Sequence, residues 1–186
     1  MKSCLIAIIF YLSTIYSIAQ KATLEKGYIV NEKGDTIKGE VKYNPKKEQD
    51  CYSKVFFKDE AGVQKNHKPG KKVKAYGFKD EHYIAMDFEN EPKFYRVLAM
   101  GEINFYKMMF EEISMNQPVL GGDYFIAHKA DEKSLTAVRE GKFKKQMLEW
   151  MKDNTEFIAD YQDEKNLNEE SAIIVIKKYN AWKANQ

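Results

Sequence analysis

From Leu24 to about Phe110 apolar and polar residues alternate with a period of two, the pattern of strands half-buried in a sheet. The clearest run sets Ile37, Gly39, Val41 and Tyr43 against Thr36, Lys38, Glu40 and Lys42. Residues 24–30 supply its partner across Asn31, Glu32, Lys33 and Gly34, a short hairpin loop with glycine where a positive φ is useful. Further strands are predicted over 54–58, 73–78, 82–88, 93–100 and 103–110, separated by turn clusters at 59–62, 68–70, 79–81 and 89–92. Within 82–88, Ile84, Met86 and Phe88 alternate with Tyr83, Ala85 and Asp87. No helical segment interrupts the series, which favours an antiparallel meander over a parallel α/β sheet. Residues 111–123 read as a long connection with Pro118, Gly121 and Gly122, followed by a short strand over 124–127.

After Gly141 the period changes. Phe143, Met147, Trp150 and Met151 fall on one face of a helix. A second helix starts with Asn168 as N-cap and Glu169 and Glu170 in its first turn. Its apolar positions are Ala172, Val175, Ile176, Tyr179 and Trp182, with Ile173 and Ile174 broadening the buried face. The predicted fold class is α+β. An antiparallel β meander of about six to eight strands, a curved sheet or partial barrel, precedes a C-terminal helical cap of two or three helices. One domain spans 20–186, mainly β over 20–138 and mainly helical over 139–186.

The first residues have a different logic. Lys2 precedes an apolar run over 5–18, and Ser17, Ile18 and Ala19 place small residues where a signal peptidase reads. A membrane-spanning helix needs about 20 apolar residues, and Gln20, Lys21, Glu25 and Lys26 close this run early. Residues 1–19 are therefore expected to be a signal peptide. The expected location is periplasmic, outer-membrane-associated or extracellular, with no transmembrane segment in the mature chain. Cleavage removes Cys4 and leaves Cys51 alone, so stability must come from a packed core rather than a disulfide.

Composition agrees with a folded chain: 44% apolar, 13% aromatic and a formal net charge of +2 exclude a disordered or low-complexity segment. The charge is uneven. Residues 42–79 hold 11 lysines against 4 acids, and residues 149–170 hold 8 acids against 2 lysines. The molecule is dipolar rather than basic.

Most reactive constellations are missing. His67, His82 and His128 lie in separate segments without a ligand partner at helical spacing, so no metal is expected. No serine lies in a G-x-S-x-G elbow, and Gly121-Gly122 lacks the pattern of a nucleotide loop, so neither a triad nor a cofactor is expected. Glu111-Glu112, Asp131-Glu132 and Asp163-Glu164 read as solvated faces or helix starts. A glycosidase would need two carboxyls held across a cleft.

The lysine-rich stretch carries the main candidate. Lys65, Lys68, Lys71, Lys72 and Lys74 precede Tyr76, Phe78 and Tyr83, and interleaved cations and aromatics suit an anionic surface or polymer. Lysines on strand edges and turns also serve simply to keep sheets from associating. Only Arg96 and Arg139 of the 30 basic residues are arginines, which argues against base-edge recognition of nucleic acid. Lys72, Lys74, Tyr76 and Tyr83 are the expected ligand-binding residues, and no catalytic residue is expected. The expected function is a secreted, non-catalytic, envelope-associated module that binds an anionic envelope polymer or an envelope protein. The alternative is a hydrolase of an envelope polysaccharide using a carboxylate pair.

Residues 27–39, Gly-Tyr-Ile-Val-Asn-Glu-Lys-Gly-Asp-Thr-Ile-Lys-Gly, resemble the opening of a set of exported Bacteroidota-type proteins without assigned activity. The ending Ala19-Gln20, residues 73–78, residues 94–98 with Gly101, and Tyr179-Asn180 are similar to that set too. Its members often carry a cysteine near the end of the first C-terminal helix, where residues 151–154 here have none. The resemblance implies an envelope setting and a shared fold, and transfers no catalytic residue.

Overall fold

A computed structural model describes residues 22–70, 72–88, 91–109, 112–114, 117–119, 123–132, 135–138, 140–162 and 168–186. The expected signal peptide over 1–19, Lys71, Glu111, Gly121, Gly122, Asp163 and Glu164 lie outside the described residues.

The opening hairpin forms as expected. β1 (Thr23–Asn31) and β2 (Thr36–Tyr43) pair antiparallel from Thr23↔Tyr43 to Val30↔Thr36. Gly34 takes φ 91° in the loop. The side-chain oxygen of Asn31 closes that loop by accepting from the N–H groups of Lys33 and Asp35, each at 2.9 Å.

The chain continues through β3 (Val55–Asp59), β4 (Gln64–His67), β5 (Val73–Phe78), β6 (Glu81–Phe88), β7 (Glu91–Ala99) and β8 (Ile103–Met109). β9 (Glu112–Ser114) and β10 (Gln117–Val119) form a separate two-stranded ribbon inside the predicted long connection, and β11 (Asp123–Lys129) and β12 (Thr136–Val138) follow. The main sheet has ten strands in the order β12-β11-β8-β7-β6-β5-β1-β2-β3-β4, all neighbours antiparallel. The fold class is α+β as expected, with more strands than the six to eight predicted. β4 escapes the period-two pattern because Gln64, Lys65, Asn66 and His67 contain no aliphatic residue. It is an edge strand, paired on one side only, and polarity is what keeps such an edge from recruiting another.

The topology makes the sheet coil. β4 and β5 are consecutive in the chain, yet β3, β2 and β1 lie between them. In a flat sheet of this register His67 and Val73 would be about 30 Å apart. The six residue steps joining them reach at most about 22 Å. The sheet must therefore curl, without closing, since β4 and β12 remain its two ends.

Two clusters of buried side chains follow. The first includes Ile29, Val41, Val55, Phe57, Val73, Tyr76, Phe78, Tyr83 and Phe94. It is joined by Cys51 and Tyr52 of the short helix α1 (Asp50–Ser53), which the β2–β3 connection lays against β7 after a 3-10 turn at Pro45–Lys47. The second lies under the C-terminal helices α2 (Glu140–Trp150), α3 (Thr155–Gln162) and α4 (Glu169–Lys183). There Met147, Met151, Ala172, Val175, Ile176 and Tyr179 meet Leu98, Ile103, Phe105, Ala127 and Val138.

Asn168 caps α4 as expected, its side chain accepting from the Ser171 N–H at 2.9 Å. Ile174, expected to widen the buried face, is instead 47% exposed. Two polar devices fix α4 on the sheet. The ammonium of Lys107 bonds Asp123 at 2.8 Å and Glu169 at 3.0 Å. The buried side chain of Asn180 accepts from the Ile103 N–H and donates to the Ile103 carbonyl, both at 2.8 Å. Among the described residues no helix is long and apolar enough to cross a membrane, which says nothing of strands.

Candidate functional site

Lys72 and Lys74 are exposed, whereas Tyr76 and Tyr83 are 1% and 2% exposed. The four side chains do not share a surface. The physical reason is a β-bulge: Val30 pairs with Ala75 but Asn31 pairs with Val73, leaving Lys74 as an extra residue. The bulge shifts the side-chain alternation by one, so Val73, Tyr76 and Phe78 face the core and Lys74 faces solvent. A strict period of two without the bulge would place Lys74 and Tyr76 on one face.

The tyrosines instead hold α1 to the sheet. The Tyr76 and Tyr83 rings stack with centroids 4.6 Å apart, and Tyr52 meets Tyr83 edge-on at 5.8 Å. The Tyr76 hydroxyl donates to the Cys51 carbonyl at 2.6 Å. Burial pushes the phenols of Tyr76 and Tyr83 far above the ordinary tyrosine value, and the Cys51 thiol up to about 11. None of these groups is ionised at neutral pH.

The lysines do come together, at one end of the coiled sheet. The start of β1, the end of β2, the start of β3 and the end of β4 meet there. A cleft of about 420 Å³ is lined by Lys42, Lys47 and Lys54 with Asn44, Asp50 and Asn66. The same cleft touches Tyr76 of β5, which the coil brings close to β4. A second cleft of about 250 Å³ is lined by His67, Lys68, Pro69 and Lys72, and shares Asn66 as a common wall. Five lysines thus face two adjoining clefts whose lining holds one carboxylate, Asp50.

Among the described residues the cleft lysines, like Lys46, Lys65 and Lys74 of the same stretch, keep uncompensated charge. Lys58 and Lys79 of the basic stretch are neutralised, by Glu40 and Glu25, each at 3.0 Å. Among the described residues Lys42, Lys47, Lys54, Lys68 and Lys72 form no ion pair, and Lys42 lies over the Phe56 ring at 5.6 Å. Burial and the nearby Lys65 hold the His67 imidazole below its ordinary value, favouring its neutral form. Sequence reasoning found Lys68 and Lys72 through the lysine run, but missed Lys42, Lys47 and Lys54. Their only signal was the wider charge imbalance over 42–79, because the grouping depends on the coil of the sheet.

The carboxylates are engaged elsewhere. Glu81 takes a two-pronged contact from the Arg96 guanidinium, with Nη2 to Oε1 at 2.7 Å, and Glu48 lies 3.8 Å from the same guanidinium. Burial holds the Glu81 carboxyl above the usual carboxylate value despite Arg96. With a guanidinium on both carboxylates, this cluster is an ion-pair network and not an acid–base pair open to a substrate. His82 bonds the Tyr28 hydroxyl at 2.9 Å, and His128 accepts or donates within 3.4 Å of the Tyr106 hydroxyl. Among the described residues no three His, Cys, Asp or Glu side chains gather as metal ligands. Comparison with protein-family models, with curated proteins and with solved structures finds no match to this chain.

Proposed function

We propose that the protein is an exported, non-catalytic, envelope-associated binding module, kin to the Bacteroidota-type set it resembles, and that its lysine-lined end takes up an anionic envelope polymer. The observation that carries this reading is the convergence of five lysines, without an ion pair among the described residues, on two adjoining clefts whose lining holds a single carboxylate. Each ammonium is a compact point charge on a flexible stem, suited to phosphate or carboxylate groups without demanding one geometry. Two clefts side by side suit successive anionic groups along a chain better than one isolated ion, since the second contact is made at high effective concentration. Exposed charges are screened within about 8 Å at physiological salt, so the attachment is salt-sensitive.

The test is co-sedimentation of the mature chain with isolated sacculi and with outer-membrane vesicles at low and high salt, alongside a Lys47→Glu/Lys54→Glu variant. The expected result is binding to one of the two at low salt, release at high salt, and loss in the variant. Failure to sediment with either, or a variant that binds like the parent, overturns the reading.

A further inference from the structure

Toward the opposite end of the same strands lies a larger groove, of about 850 Å³, running over β1, β2, β3 and β5. The register places Lys26, Glu40 and Lys58 in one row across three strands, and Tyr28 and Lys38 in the next row. We propose that this groove is a second binding site, for a glycan of low net charge, with the Tyr28 ring as the platform on which a sugar stacks. The proposal goes beyond the lysine-lined clefts and does not rest on them.

Three observations point to that chemistry. First, Tyr28 is fixed before any ligand arrives. Its ring lies over Gly77, where an added Cβ would come 2.7 Å from Cε1 and 2.8 Å from the hydroxyl oxygen. Its hydroxyl is tied to His82 at 2.9 Å. A ring held at its hydroxyl end and only partly buried offers a flat apolar surface at little ordering cost. Second, the polar lining is balanced. Lys58 pairs with Glu40 and Lys79 with Glu25, each at 3.0 Å, and Asp59 and Glu60 of the lining offset Lys26 and Lys38 in number. The groove thus presents many donors and acceptors with little net charge, unlike the lysine-lined end. A pyranose has a C–H face for the ring and a rim of hydroxyls for such groups, and a groove of this size accommodates it.

Third, the groove lies on the face of the sheet, not at its edge. β1, β2 and β3 are each hydrogen-bonded on both sides, to β5 and β2, to β1 and β3, and to β2 and β4. Their main chains have no free row for an added strand, so an extended peptide would lack the backbone bonds that usually hold it.

The test is a titration of the mature chain with uncharged hexamers of N-acetylglucosamine, glucose and mannose at low and high salt, read by quenching of intrinsic fluorescence and by calorimetry. Binding of at least one hexamer is expected, changed less than about twofold by salt. Tyr28→Ala should weaken it about tenfold and Tyr28→Phe should largely keep it. Lys38→Ala, at an exposed position that does not threaten folding, should weaken it several-fold. Lys47→Glu/Lys54→Glu should leave it unchanged, which separates this site from the anion site. Binding of none of the three hexamers, binding unaffected by both Tyr28→Ala and Lys38→Ala, or capture of a peptide in their place overturns the proposal.

Discussion

Asn180→Ala should be the most costly polar truncation in the C-terminal helices. The side chain is 8% exposed and gives both of its polar groups to one residue, Ile103, whose N–H and carbonyl it engages at 2.8 Å each. It thus stands in for a neighbouring strand at the point where β8 begins. Truncation leaves a buried donor and a buried acceptor unpaired, at about 1–3 kcal/mol each, so the expected loss is about 2–6 kcal/mol. That is a large part of the roughly 5–15 kcal/mol typical of a folded domain. Urea unfolding followed by the fluorescence of Trp182, on the same helix, reads it directly. With a slope of about 2 kcal/mol per molar, the midpoint should fall by about 1–3 M. Asn180→Leu, which keeps the volume but neither bond, should lose nearly as much, placing the effect in the hydrogen bonds rather than a cavity. Asn180→Asp keeps the acceptor for the N–H but turns an oxygen toward the Ile103 carbonyl. Its carboxyl should titrate above the usual range, so this variant should gain on Asn180→Ala as pH falls. A midpoint for Asn180→Ala within about 0.2 M of the parent refutes the reasoning.

Tyr76→Phe, which removes only the bond to the Cys51 carbonyl, should cost about 1 kcal/mol and leave salt-sensitive sedimentation unchanged; lost sedimentation with unchanged stability would place Tyr76 in the binding site instead. Cys51 is buried and its thiol is pushed up to about 11, so a thiol reagent at pH 8 should label the folded chain at least about 100-fold more slowly than the urea-unfolded chain; equal rates would contradict its burial. Asp153 keeps a carboxyl below its ordinary value because bonds from Lys183 and Tyr179 outweigh partial burial. A depressed acid stabilises the fold above its unfolded value and ceases to as pH drops through the folded one. Asp153→Asn should therefore lose up to about 1 kcal/mol at pH 7, the exposed pair being screened, and match the parent near pH 2–3 in urea unfolding; a constant gap at both pH values would refute the linkage.

Most of the sheet was legible because each long strand carries its own alternation and each hairpin its own turn chemistry. β5 was predicted to the residue, and α4 was found through its Asn168 cap. The short elements lacked such signals. β4 is wholly polar, β12 has three residues, and α1 is a single turn whose burial depends on strands far along the chain. The candidate site was only half legible for a related reason. Charge imbalance is a property of composition and survives without coordinates, so the basic stretch could be found. Which lysines converge depends on the coil of the sheet and on one bulge at Lys74, and no local pattern encodes either.

The residues behind the proposed kinship also do a different job from those behind the proposed binding. A Cβ at Gly39 would come 2.5 Å from the Phe57 ring, and one at Gly27 would come 2.3 Å from the Gly77 carbonyl oxygen. Facing each other across β1 and β2, these glycines let the core close over the hairpin. Gly101, at φ 148°, leaves the space that Asn180 fills. Val73, Tyr76 and Phe78 are core. Every one of these positions specifies packing. Lys47, Lys54, Lys68 and Lys72 sit in turns and connections, where substitution costs little stability. Proteins sharing the glycines and aromatics should therefore share the coiled sheet and its helical cover while differing in the charge of the end proposed to bind. On this architecture the fold is a common frame, and under the proposed function the ligand would be set by a handful of exposed side chains at the ends of its strands.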